Sequence, residues 1–514
     1  MFLVRGGLVI TMDTAQPVIE DGAVAVEGTD IVAVGRFAEL AERYPDARAL
    51  GSEKEWVLPG FVNGHGHGGL ISGWFRQGVQ DLPLERWLQR LYNTCLTAGQ
   101  MPVTYYNTLD LCSQLIRSGV TCTGDFFYGD GGDLTLGAQH GVRAYQEAGM
   151  RVALFVGALD QPAVDNGNLE MFFHLMPDDL AQRARDLGPI PYNLSQDEYL
   201  TAWKRVYRDF HDPGGAINIC LGPDGPVRCT PEFLKAIKAA AGERGAAIQM
   251  HLLETKYQRL YGLREKGMPL VRFLQGLGFL GPEVSFAHGI WVTDEDMEVL
   301  AGEGASIVPN PSSNLRLFDG IAPIRQLLAR GVNVGLGTDS FGFSDDNDYL
   351  EEIRLAMLLQ RVPGIEGKTI SGQETLELAT LGGARALGLS DQIGSLQAGK
   401  RADLIALSSK RMVSPFMSPL HEAQEIICHR ARREDMRQVM INGRLVLEDG
   451  QLVTIDAPSV AETLGEWYAE MWSERGECER DIKGILGETD PLVNRFFREY
   501  DDGTLQARSI YNAE

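Results

Sequence analysis

Several features that define large protein classes are scarce in this 514-residue chain. It has seven cysteines, an odd number, and none forms a Cys-x-x-Cys pair, so we expect no disulfide framework. Scattered thiols fit a reducing compartment, and we expect a cytoplasmic protein. The N-terminus alternates like a strand and lacks the apolar core of a signal peptide. No segment approaches the ~18 consecutive apolar residues of a membrane span.

Positive charge is also in short supply. The chain has 47 lysines and arginines against 70 aspartates and glutamates, a formal net charge of -23. Such a chain repels phosphate backbones and anionic lipid, which excludes nucleic acid and membrane surfaces as expected partners. A hydrophobic content of 44% and a charged content of 23% are ordinary for a globular protein. The remaining expectation is a protein with a small-molecule substrate.

Both ends of the chain have β patterns. Residues 1–56 contain short alternating runs separated by Asp/Gly turns, and similar runs return over residues 393–455. Asn442-Gly443 is a strong signal for a type I′ hairpin turn. We therefore predict a small β-sandwich module that is built from both ends of the chain.

Between these ends, short apolar runs alternate with helical patterns. This alternation over residues 57–392 predicts an α/β fold, a (β/α)8 TIM barrel, because the runs number eight. The predicted strands are Val57–Asn63, Val120–Phe127, Val152–Ala158, Ala216–Gly222, Ala246–Leu252, Val284–Ala287, Ser306–Val308 and Val332–Gly337.

Two helical segments add to this pattern. Residues 160–215 form a predicted helical insert, and an insertion after a barrel strand commonly forms a wall or lid of the active site. Residues 456–514 form a predicted charged helical extension, which is a candidate for packing on a neighbouring subunit. We expect a homodimer or a higher homo-oligomer.

The densest chemical signal is His65-Gly66-His67 at the end of the first predicted strand. The chain has only nine histidines, and two of them are here. Residues i and i+2 of a strand point to the same side, so both rings can reach one metal ion. The spacing alone is also compatible with ordinary core or surface histidines.

Other chemistry-bearing residues end further predicted strands. His251 ends the fifth, His288 follows the sixth, and Asp339 follows the eighth. In a TIM barrel these positions share the carboxyl-terminal rim, where active sites lie. Each has a plainer interpretation, as a hydrogen-bonded core histidine or a helix N-cap. Their occurrence together at one rim favours a catalytic site.

The strings around these residues resemble the amidohydrolase superfamily. The likeness is to its chlorohydrolase and aminohydrolase branch, with guanine, cytosine, S-adenosylhomocysteine and s-triazine hydrolases. It covers about residues 2–455, and the strings occur in the family order. They are Leu58-Pro-Gly-Phe-Val-Asn-Gly-His65-Gly-His67, Met250-His-Leu-Leu-Glu254-Thr, Ala287-His288-Gly, Pro311-Ser-Ser-Asn-Leu-Arg, Gly337-Thr-Asp339 and Gly394-Ser-Leu-Gln-Ala-Gly-Lys-Arg-Ala-Asp403-Leu.

The resemblance implies one divalent metal ion, with Zn²⁺ expected and Fe²⁺ as the alternative. Its implied ligands are His65, His67, His251 and Asp339. Binuclear relatives carry a carboxylated lysine at the end of strand four, and the run from Ile217 to Pro226 has no lysine, which predicts a single ion.

The resemblance also implies catalytic roles for Glu254, His288 and Asp339. Asp339 can accept a proton from the attacking water, and His288 can hydrogen-bond that water or the substrate oxygen. Glu254 is placed to carry a proton to a ring nitrogen or to the leaving amine.

Substrate contacts are predicted from the region after strand one and from aromatic residues at the rim. A planar ring suits such aromatics, but a core or helix-surface interpretation is equally open for them. The candidates are Trp74, Gln77, Glu85, Trp87 and Tyr128. Two departures from the family pattern alter the pocket: Asp339 is followed by Ser-Phe-Gly-Phe-Ser-Asp-Asp-Asn, and strand seven is followed by Pro309-Asn310.

The function predicted by these residues is metal-dependent hydrolysis of a C–N bond, as in deamination of a nitrogen heterocycle. The same constellation can hydrolyse amides, carbamates or carbon–halogen bonds, because fold does not decide among these reactions. A non-catalytic barrel is a further alternative. It is disfavoured because all the implied ligands and proton-transfer residues are present.

Overall fold

A computed structural model describes residues 1–68, 82–92, 103–128, 133–161, 169–186, 194–212, 214–339, 346–365, 367–418 and 420–505. Two eight-stranded sheets organise these residues. The first sheet combines the two ends of the chain, with strand order β16-β15-β14-β13-β4-β1-β2-β3. Its strands are β1 (Phe2–Ile10), β2 (Val18–Glu27), β3 (Asp30–Arg36), β4 (Arg48–Pro59), β13 (Leu404–Ser408), β14 (Met436–Ile441), β15 (Arg444–Glu448) and β16 (Gln451–Leu452).

The two ends meet where β13 pairs antiparallel with β4. The turn between β14 and β15 has positive φ angles at Asn442 (51°) and Gly443 (74°), as a type I′ hairpin requires. Behind this sheet, the buried guanidinium of Arg151 binds both carboxylate oxygens of Asp403, at 2.8 and 3.0 Å. This bidentate pair fixes the composite sheet against the second sheet.

The second sheet is parallel and runs in chain order from β5 to β12. Its strands coincide with seven of the eight predicted runs and with part of the first. They are β5 (Phe61–Gly66), β6 (Val120–Phe127), β7 (Arg151–Ala158), β8 (Ile217–Pro223), β9 (Ile248–Leu252), β10 (Val284–His288), β11 (Ser306–Val308) and β12 (Asn333–Val334).

The first predicted strand, Val57–Asn63, is wrong as a single element. Its first half ends β4 in the composite sheet, and its second half begins β5 in the parallel sheet. The change occurs at Gly60, where a Cβ would lie 2.1 Å from the Thr121 side chain, so only glycine lets the chain pass. The composite sheet therefore extends to Pro59, beyond the predicted boundary at residue 56.

The parallel sheet is curled. The N–H of Gly64 in β5 donates to the carbonyl of Leu336, three residues after the eighth strand begins, at 2.8 Å. Further along, Gly66 and Asp339 form a parallel bridge. These contacts bring the carboxyl ends of the first and eighth strands together, which places His65 beside Asp339.

Helices connect and cover the strands. They are α1 (Phe37–Arg43), α2 (Leu84–Tyr92), α3 (Val103–Arg117), α4 (Leu134–Ala148), α5 (Asp178–Arg185), α6 (Gln196–Phe210), α7 (Pro231–Arg244), α8 (Lys256–Glu265), α9 (Leu270–Gly276), α10 (Asp294–Glu303), α11 (Pro311–Arg316), α12 (Ile324–Ala329), α13 (Tyr349–Leu359), α14 (Gly372–Glu377), α15 (Gly383–Ala386), α16 (Ser409–Met412), α17 (Ala423–Arg430) and α18 (Ala457–Tyr500), with a π-helical turn at Leu378–Gly382 and 3₁₀ turns at Leu169–Leu175 and Arg433–Asp435. None of the described helices combines the length and the hydrophobicity needed to cross a membrane.

The predicted insert divides into two parts. Helix α6 packs against α4, α7 and β8, and the indole of Trp203 donates to the carbonyl of Cys220. This helix is a crossover on the outside of the sheet rather than a lid. Helix α5 instead packs against α18, in an apolar cluster that includes Leu180 and Leu486.

The long helix α18 packs on its own chain, on α2, α3 and α5. Asp490 forms ion pairs with Arg86 and Arg90 of α2, and Lys256 of α8 pairs with Asp501 just beyond the helix. Through these contacts the C-terminal region holds two elements that follow strands of the parallel sheet.

The cysteines differ from the expectation at one position. Five are buried free thiols: Cys112, Cys122, Cys220, Cys229 and Cys428. Cys478 on α18 is disulfide-bonded. One disulfide-bonded cysteine among the described residues is not a disulfide framework, although it differs from the scattered free thiols that fit a reducing compartment.

Candidate active site

The His-x-His pair lies at the carboxyl end of β5. His65 is fully buried and His67 nearly so, and their ring centroids are 4.9 Å apart. His251, at the end of β9, completes the group: its ring lies 5.1 Å from His65 and 5.5 Å from His67. The i, i+2 spacing and the strand ends thus bring three imidazoles together.

Each of these three rings has its Nδ1 atom held by an oxygen. Nδ1 of His65 lies 2.7 Å from Oε1 of Gln249, and Nδ1 of His67 lies 2.8 Å from the carbonyl of Phe126. Nδ1 of His251 lies 2.9 Å from the carbonyl of Asp224. Because carbonyl oxygens accept hydrogen bonds, each Nδ1 carries the proton and each Nε2 keeps a free lone pair.

The Nε2 atoms converge on the carboxylate of Asp339. Oδ1 of Asp339 lies 3.4 Å from Nε2 of His65 and 3.2 Å from Nε2 of His67. Nε2 of His251 lies 3.4 Å from Nε2 of His67, a contact in which two lone pairs face each other. Within the described part of the chain, Nε2 of His65 is buried without a hydrogen-bond partner. Three imidazole lone pairs and one carboxylate oxygen around a common point fit a divalent cation such as Zn²⁺.

Charge states of the rings agree with this donor set. Burial lowers the pKa of His65 to about 4 and the pKa of His251 well below its usual value, so both rings are neutral at pH 7. Burial also acts to lower the pKa of His67, but the Asp339 carboxylate outweighs it and raises that pKa, so this ring must release its proton when a metal ion binds. Burial raises the pKa of Asp339, but the adjacent His65 and His67 rings outweigh it and hold that pKa well below the usual value of an aspartate. Neutral imidazoles and an ionised carboxylate are the forms that bind a metal.

Asp339 is fixed from its other side as well. The hydroxyl of Ser313, on α11, donates to its Oδ2 atom at 2.5 Å. The backbone of Asp339 has a φ of 58°, in the left-handed region that non-glycine residues seldom adopt. The two oxygens therefore face different partners, histidines on one side and a hydroxyl on the other.

His288 and Glu254 stand beside this group. Nε2 of His288 lies 3.4 Å from Oε1 of Glu254, and both side chains are buried. Nδ1 of His288 lies 2.9 Å from Oδ1 of Asn314 and 3.3 Å from Nδ2 of Asn310. Burial lowers the pKa of His288, so its ring is neutral. Asn310 is one of the departures from the family pattern, and it contacts this histidine.

The structure describes only some of the predicted substrate-contacting residues. Trp74 and Gln77 lie outside the described residues. Glu85 and Trp87 lie on α2 and are buried, and Trp87 packs in an apolar cluster with Leu84, Leu88 and Leu317. The interpretation of Glu85 as a helix-surface residue is wrong, because its side chain is only 3% exposed.

Tyr128 adjoins the histidines. Its ring is stacked on His67 with an interplanar angle of 12°, and its hydroxyl donates to Oδ2 of Asp224. Arg228 donates to the other oxygen of Asp224 at 2.6 Å. Phe126 contacts the same histidines, with its ring 4.8 Å from His251. These two aromatic side chains form one wall of the site.

Sequence reasoning missed several residues around this constellation: Asp224, Gln249, Ser313, Asn314 and Asp319. Asn310 was identified only as a departure from the family pattern. Gln249 had a usable signal, because it precedes His251 by two residues and therefore shares its strand face. Ser313 and Asn314 lie in a string that was noted only for its resemblance. Asp224 and Asp319 had no distinguishing signal in the sequence.

Asp319 adds an acidic side to the site. It is 4% exposed, and its Oδ2 atom is buried without a hydrogen-bond partner among the residues that the structure describes. Burial and then the charges of Glu254, Glu85 and Asp339 raise the pKa of Asp319 well above 3.8. The site thus has a histidine side, centred on His65, and an acidic side, formed by Glu85, Glu254 and Asp319.

Comparison with known proteins agrees with this geometry. Residues 56–446 match the model of the amidohydrolase family, and residues 22–47 match an imidazolonepropionase-like composite domain of bacteria. The chain is 30% identical to a 5'-deoxyadenosine deaminase of Methanosarcina mazei, over 90% of this chain and 96% of that protein. It is 31% identical to a 5-methylthioadenosine/S-adenosylhomocysteine deaminase of Pelotomaculum thermopropionicum, over 89% and 96% of the two chains.

Solved structures show the same relationship. A zinc-bound adenosine deaminase from Xanthomonas campestris superposes with a TM-score of 0.77 at 26% identity, covering 92% of this chain and 98% of that one. A zinc complex of atrazine chlorohydrolase from Arthrobacter aurescens gives a TM-score of 0.77 at 25% identity, over 91% and 99%. With a family match over most of its length and relatives of this kind, the chain belongs to the amidohydrolase family and is a hydrolytic enzyme.

Proposed function

We propose that this enzyme hydrolytically deaminates an adenosine-type nucleoside, replacing the exocyclic amine with oxygen and releasing ammonia. The observation that carries the proposal is the joint placement of Glu254, His288 and Asp339 beside three imidazole lone pairs. Deamination of a ring needs water attack, a proton on a ring nitrogen and a proton on the leaving amine. Two relatives that align over most of their length are named as deaminases of adenine nucleosides.

The proposed metal ligands are His65, His67, His251 and Asp339, for one divalent ion, with zinc favoured. Neighbouring structures of this fold contain zinc, and the donor set has the nitrogen and oxygen chemistry that zinc prefers. When bound, such an ion lowers the pKa of water enough to supply a nucleophile near pH 7. Gln249 and the carbonyls that hold the Nδ1 atoms orient the imidazoles for this task.

The proton transfers are assigned to three side chains. Asp339 accepts a proton from the attacking water, while Ser313 holds its second oxygen in place. Neutral His288 hydrogen-bonds the same water, with its Nδ1 atom fixed by Asn314. Glu254 donates a proton to the ring nitrogen as the tetrahedral carbon forms, and a proton delivered to the amine lets ammonia leave. Water and the amine are consumed, and a carbonyl and ammonia are produced.

The substrate ring is proposed to lie against the aromatic wall of Phe126 and Tyr128. Stacked and tilted aromatic side chains beside the histidines suit a planar heterocycle. Glu85 and Trp87 of α2 are proposed to approach the opposite side of the substrate, and Trp74 and Gln77 stay predictions. The heterocycle would thus lie between aromatic and acidic groups.

For the architecture, we propose that the parallel sheet is a complete eight-stranded barrel closed between Gly64 and Leu336. The composite sheet would fold over itself as a sandwich, because edge strand β3 hydrogen-bonds to residues 399–400 and Ile31 shares an apolar cluster with Leu404. The proposed division is residues 1–59 and 393–455 for the composite module, 60–392 for the barrel, and 456–514 for the extension. A cytoplasmic location and a homo-oligomeric state stay predictions, the second to be measured by light scattering.

The experiment is a substrate screen with zinc-loaded protein that follows ammonia release and the change in ring absorbance. 5'-Deoxyadenosine, 5'-methylthioadenosine, S-adenosylhomocysteine and adenosine are expected to release ammonia, with guanine and cytosine as comparison rings. Chloride release from atrazine without ammonia release from any nucleoside would replace the proposal by dechlorination. Cleavage of amides or carbamates alone would replace it by amide hydrolysis.

A further inference from the structure

The first turn of α11 holds two of the proposed catalytic side chains. The hydroxyl of Ser313 donates to Oδ2 of Asp339 at 2.5 Å, and Oδ1 of Asn314 lies 2.9 Å from Nδ1 of His288. Helix α11 has only six residues, and the side chain of its N-cap residue, Asn310, makes no capping hydrogen bond. Because so short a helix has little stability of its own, the direction of both contacts depends on what fixes its first turn.

Glu352 on α13 fixes that turn from outside the helix. Its Oε2 accepts a hydrogen bond from the N–H of Ser312 at 3.1 Å, and the residue is only 1% exposed. An N–H in the first turn of a helix has no acceptor within the helix. The carboxyl group of Glu352 therefore binds the backbone one residue before Ser313 and two residues before Asn314.

Helix α13 is itself fastened to the strands that lead into the site. The hydroxyl of Tyr349, one turn before Glu352, lies 2.7 Å from the carbonyl of Val62 in β5 and 2.8 Å from the carbonyl of Leu336. Tyr349 is fully buried. Strand β5 ends in the His-x-His pair, and the chain continues from Leu336 to Asp339. Glu352 thus extends to α11 from an element that is anchored beside the proposed metal ligands.

We infer that Glu352 is a positioning residue that, through the first turn of α11, keeps the hydrogen bonds to Asp339 and His288 aligned. The inference rests on the proposed function, in which these two groups act on the attacking water. Because Glu352 acts through α11, its loss should lower the rate of reaction more than it weakens the binding of substrate.

This role requires an acceptor oxygen rather than a negative charge. Burial raises the pKa of Glu352 to about 8, so most of this carboxyl group is protonated at pH 7. A protonated carboxyl keeps a carbonyl oxygen that accepts the N–H of Ser312. Glutamine has a similar shape and the same kind of oxygen, so Glu352→Gln should preserve the role. Methionine has a similar length but no such oxygen, so Glu352→Met should remove it.

The first test compares these variants with Glu351→Met, which changes the exposed neighbouring residue. The kcat and KM for ammonia release are measured on zinc-loaded protein and expressed per bound zinc ion. We expect Glu352→Met to lower kcat about 10–100-fold, with KM changed less than about threefold. Glu352→Gln and Glu351→Met should keep kcat within about threefold of wild type. An unchanged kcat in Glu352→Met, or an equal loss in Glu352→Gln, would overturn the inference.

A double-mutant cycle with Ser313→Ala tests the path of the effect. Two residues that act through a shared contact have non-additive effects, whereas independent residues have additive ones. Glu352→Met should therefore lower kcat by a smaller factor in Ser313→Ala protein than in wild type. Equal factors in the two backgrounds would show that Glu352 does not act through this turn, and would overturn the inference.

Cobalt-loaded protein provides a measurement that does not depend on turnover or on overall stability. The visible absorption of Co²⁺ reports the geometry of its ligands. Glu352→Met should alter this spectrum, because Asp339 loses the alignment of its second oxygen, while Glu352→Gln and Glu351→Met should not. Glu352→Asp, whose carboxyl group is one methylene shorter, replaces Glu352→Met if that protein does not fold.

The cobalt spectra also separate this inference from the proposed function. A spectrum altered only in Glu352→Met supports the positioning role even if no nucleoside releases ammonia, a result that would overturn only the proposed reaction. An unchanged spectrum in Glu352→Met overturns the role even if wild-type enzyme deaminates adenosine. Failure of wild-type protein to bind zinc or cobalt overturns both.

Discussion

The two sides of the site differ in how completely their polar atoms are satisfied. On the histidine side, the Nδ1 atoms of His65, His67 and His251 each have an oxygen partner at 2.7–2.9 Å. On the acidic side, Asp319 has a buried oxygen that no described residue hydrogen-bonds. Imidazoles held at Nδ1 are fixed in orientation and leave Nε2 for a metal ion, whereas unsatisfied carboxyl oxygens gain most from a ligand. The comparison separates the proposed metal ligands on the histidine side from the carboxyl groups of the acidic side, which include the proposed proton carrier Glu254.

The largest effect on activity is expected from removing a proposed metal ligand on the histidine side. His67→Ala removes one lone pair from the donor set, so zinc binding and activity should both be lost, with activity falling about a thousandfold or more. Atomic emission measures the zinc content, and the rate of ammonia release measures the activity. His211→Ala is the control, because that ring lies on α6's end, stacked on Tyr207 away from the site. Full activity of His67→Ala without metal would contradict the ligand assignment.

A substitution on the acidic side should lower the reaction rate without removing the metal ion. Glu254→Gln removes the proposed proton carrier but leaves the imidazoles in place, so kcat should fall about 10²–10⁴-fold while one zinc ion per chain remains. Steady-state kinetics and metal analysis test both parts. Glu232→Gln, on the exposed start of α7, serves as the control. Survival of every activity in Glu254→Gln would show that the mechanism is wrong.

The hydrogen bonds behind the histidines can be tested separately. Gln249→Ala removes the oxygen that holds Nδ1 of His65, so zinc affinity should weaken about 10–100-fold without loss of the ligand itself. Competition with a chelator measures the affinity. Gln258→Ala, a buried glutamine bonded to the N–H of Glu254 on the acidic side, should change zinc affinity far less. Equal losses of zinc affinity in the two variants would contradict the distinction between the histidine side and the acidic side.

A smaller effect, on the pH dependence of the free energy of unfolding, is expected from Glu352. This residue hydrogen-bonds the segment at Ser312 that joins the two sides of the site. Its Oε2 accepts from the N–H of Ser312 at 3.1 Å, and burial raises its pKa to about 8. Between pH 4.5 and 8 the folded state therefore binds more protons than the unfolded state, so the free energy of unfolding should fall as pH rises across this window. Glu352→Gln should flatten that slope in denaturant titrations. Glu351→Gln, the exposed neighbour, should leave it unchanged.

Much of the framework follows from local patterns. Apolar runs of strand length located the parallel strands, and the i, i+2 spacing of His65 and His67 indicated their convergence. Contacts between distant segments were beyond this reasoning. The approach of Asp319 to Glu85 depends on how α2 packs against Leu317, and the tautomers depend on Gln249 and on backbone carbonyls. The break at Gly60 depends on contact with Thr121 of the next strand.

The pairing of β4 with β13 has a consequence for biosynthesis. The strand that leads directly into His65 and His67 pairs with β1 on one side, but it gains its second neighbour only from residues 404–408, and α2 gains Asp490 only from the C-terminal helix. When the barrel strands have left the ribosome, residues 404–408 and the C-terminal helix have therefore not yet been synthesised. These are the segments that hold both sides of the site. The active centre is completed late in synthesis, when the chain's last segments fold back on its first.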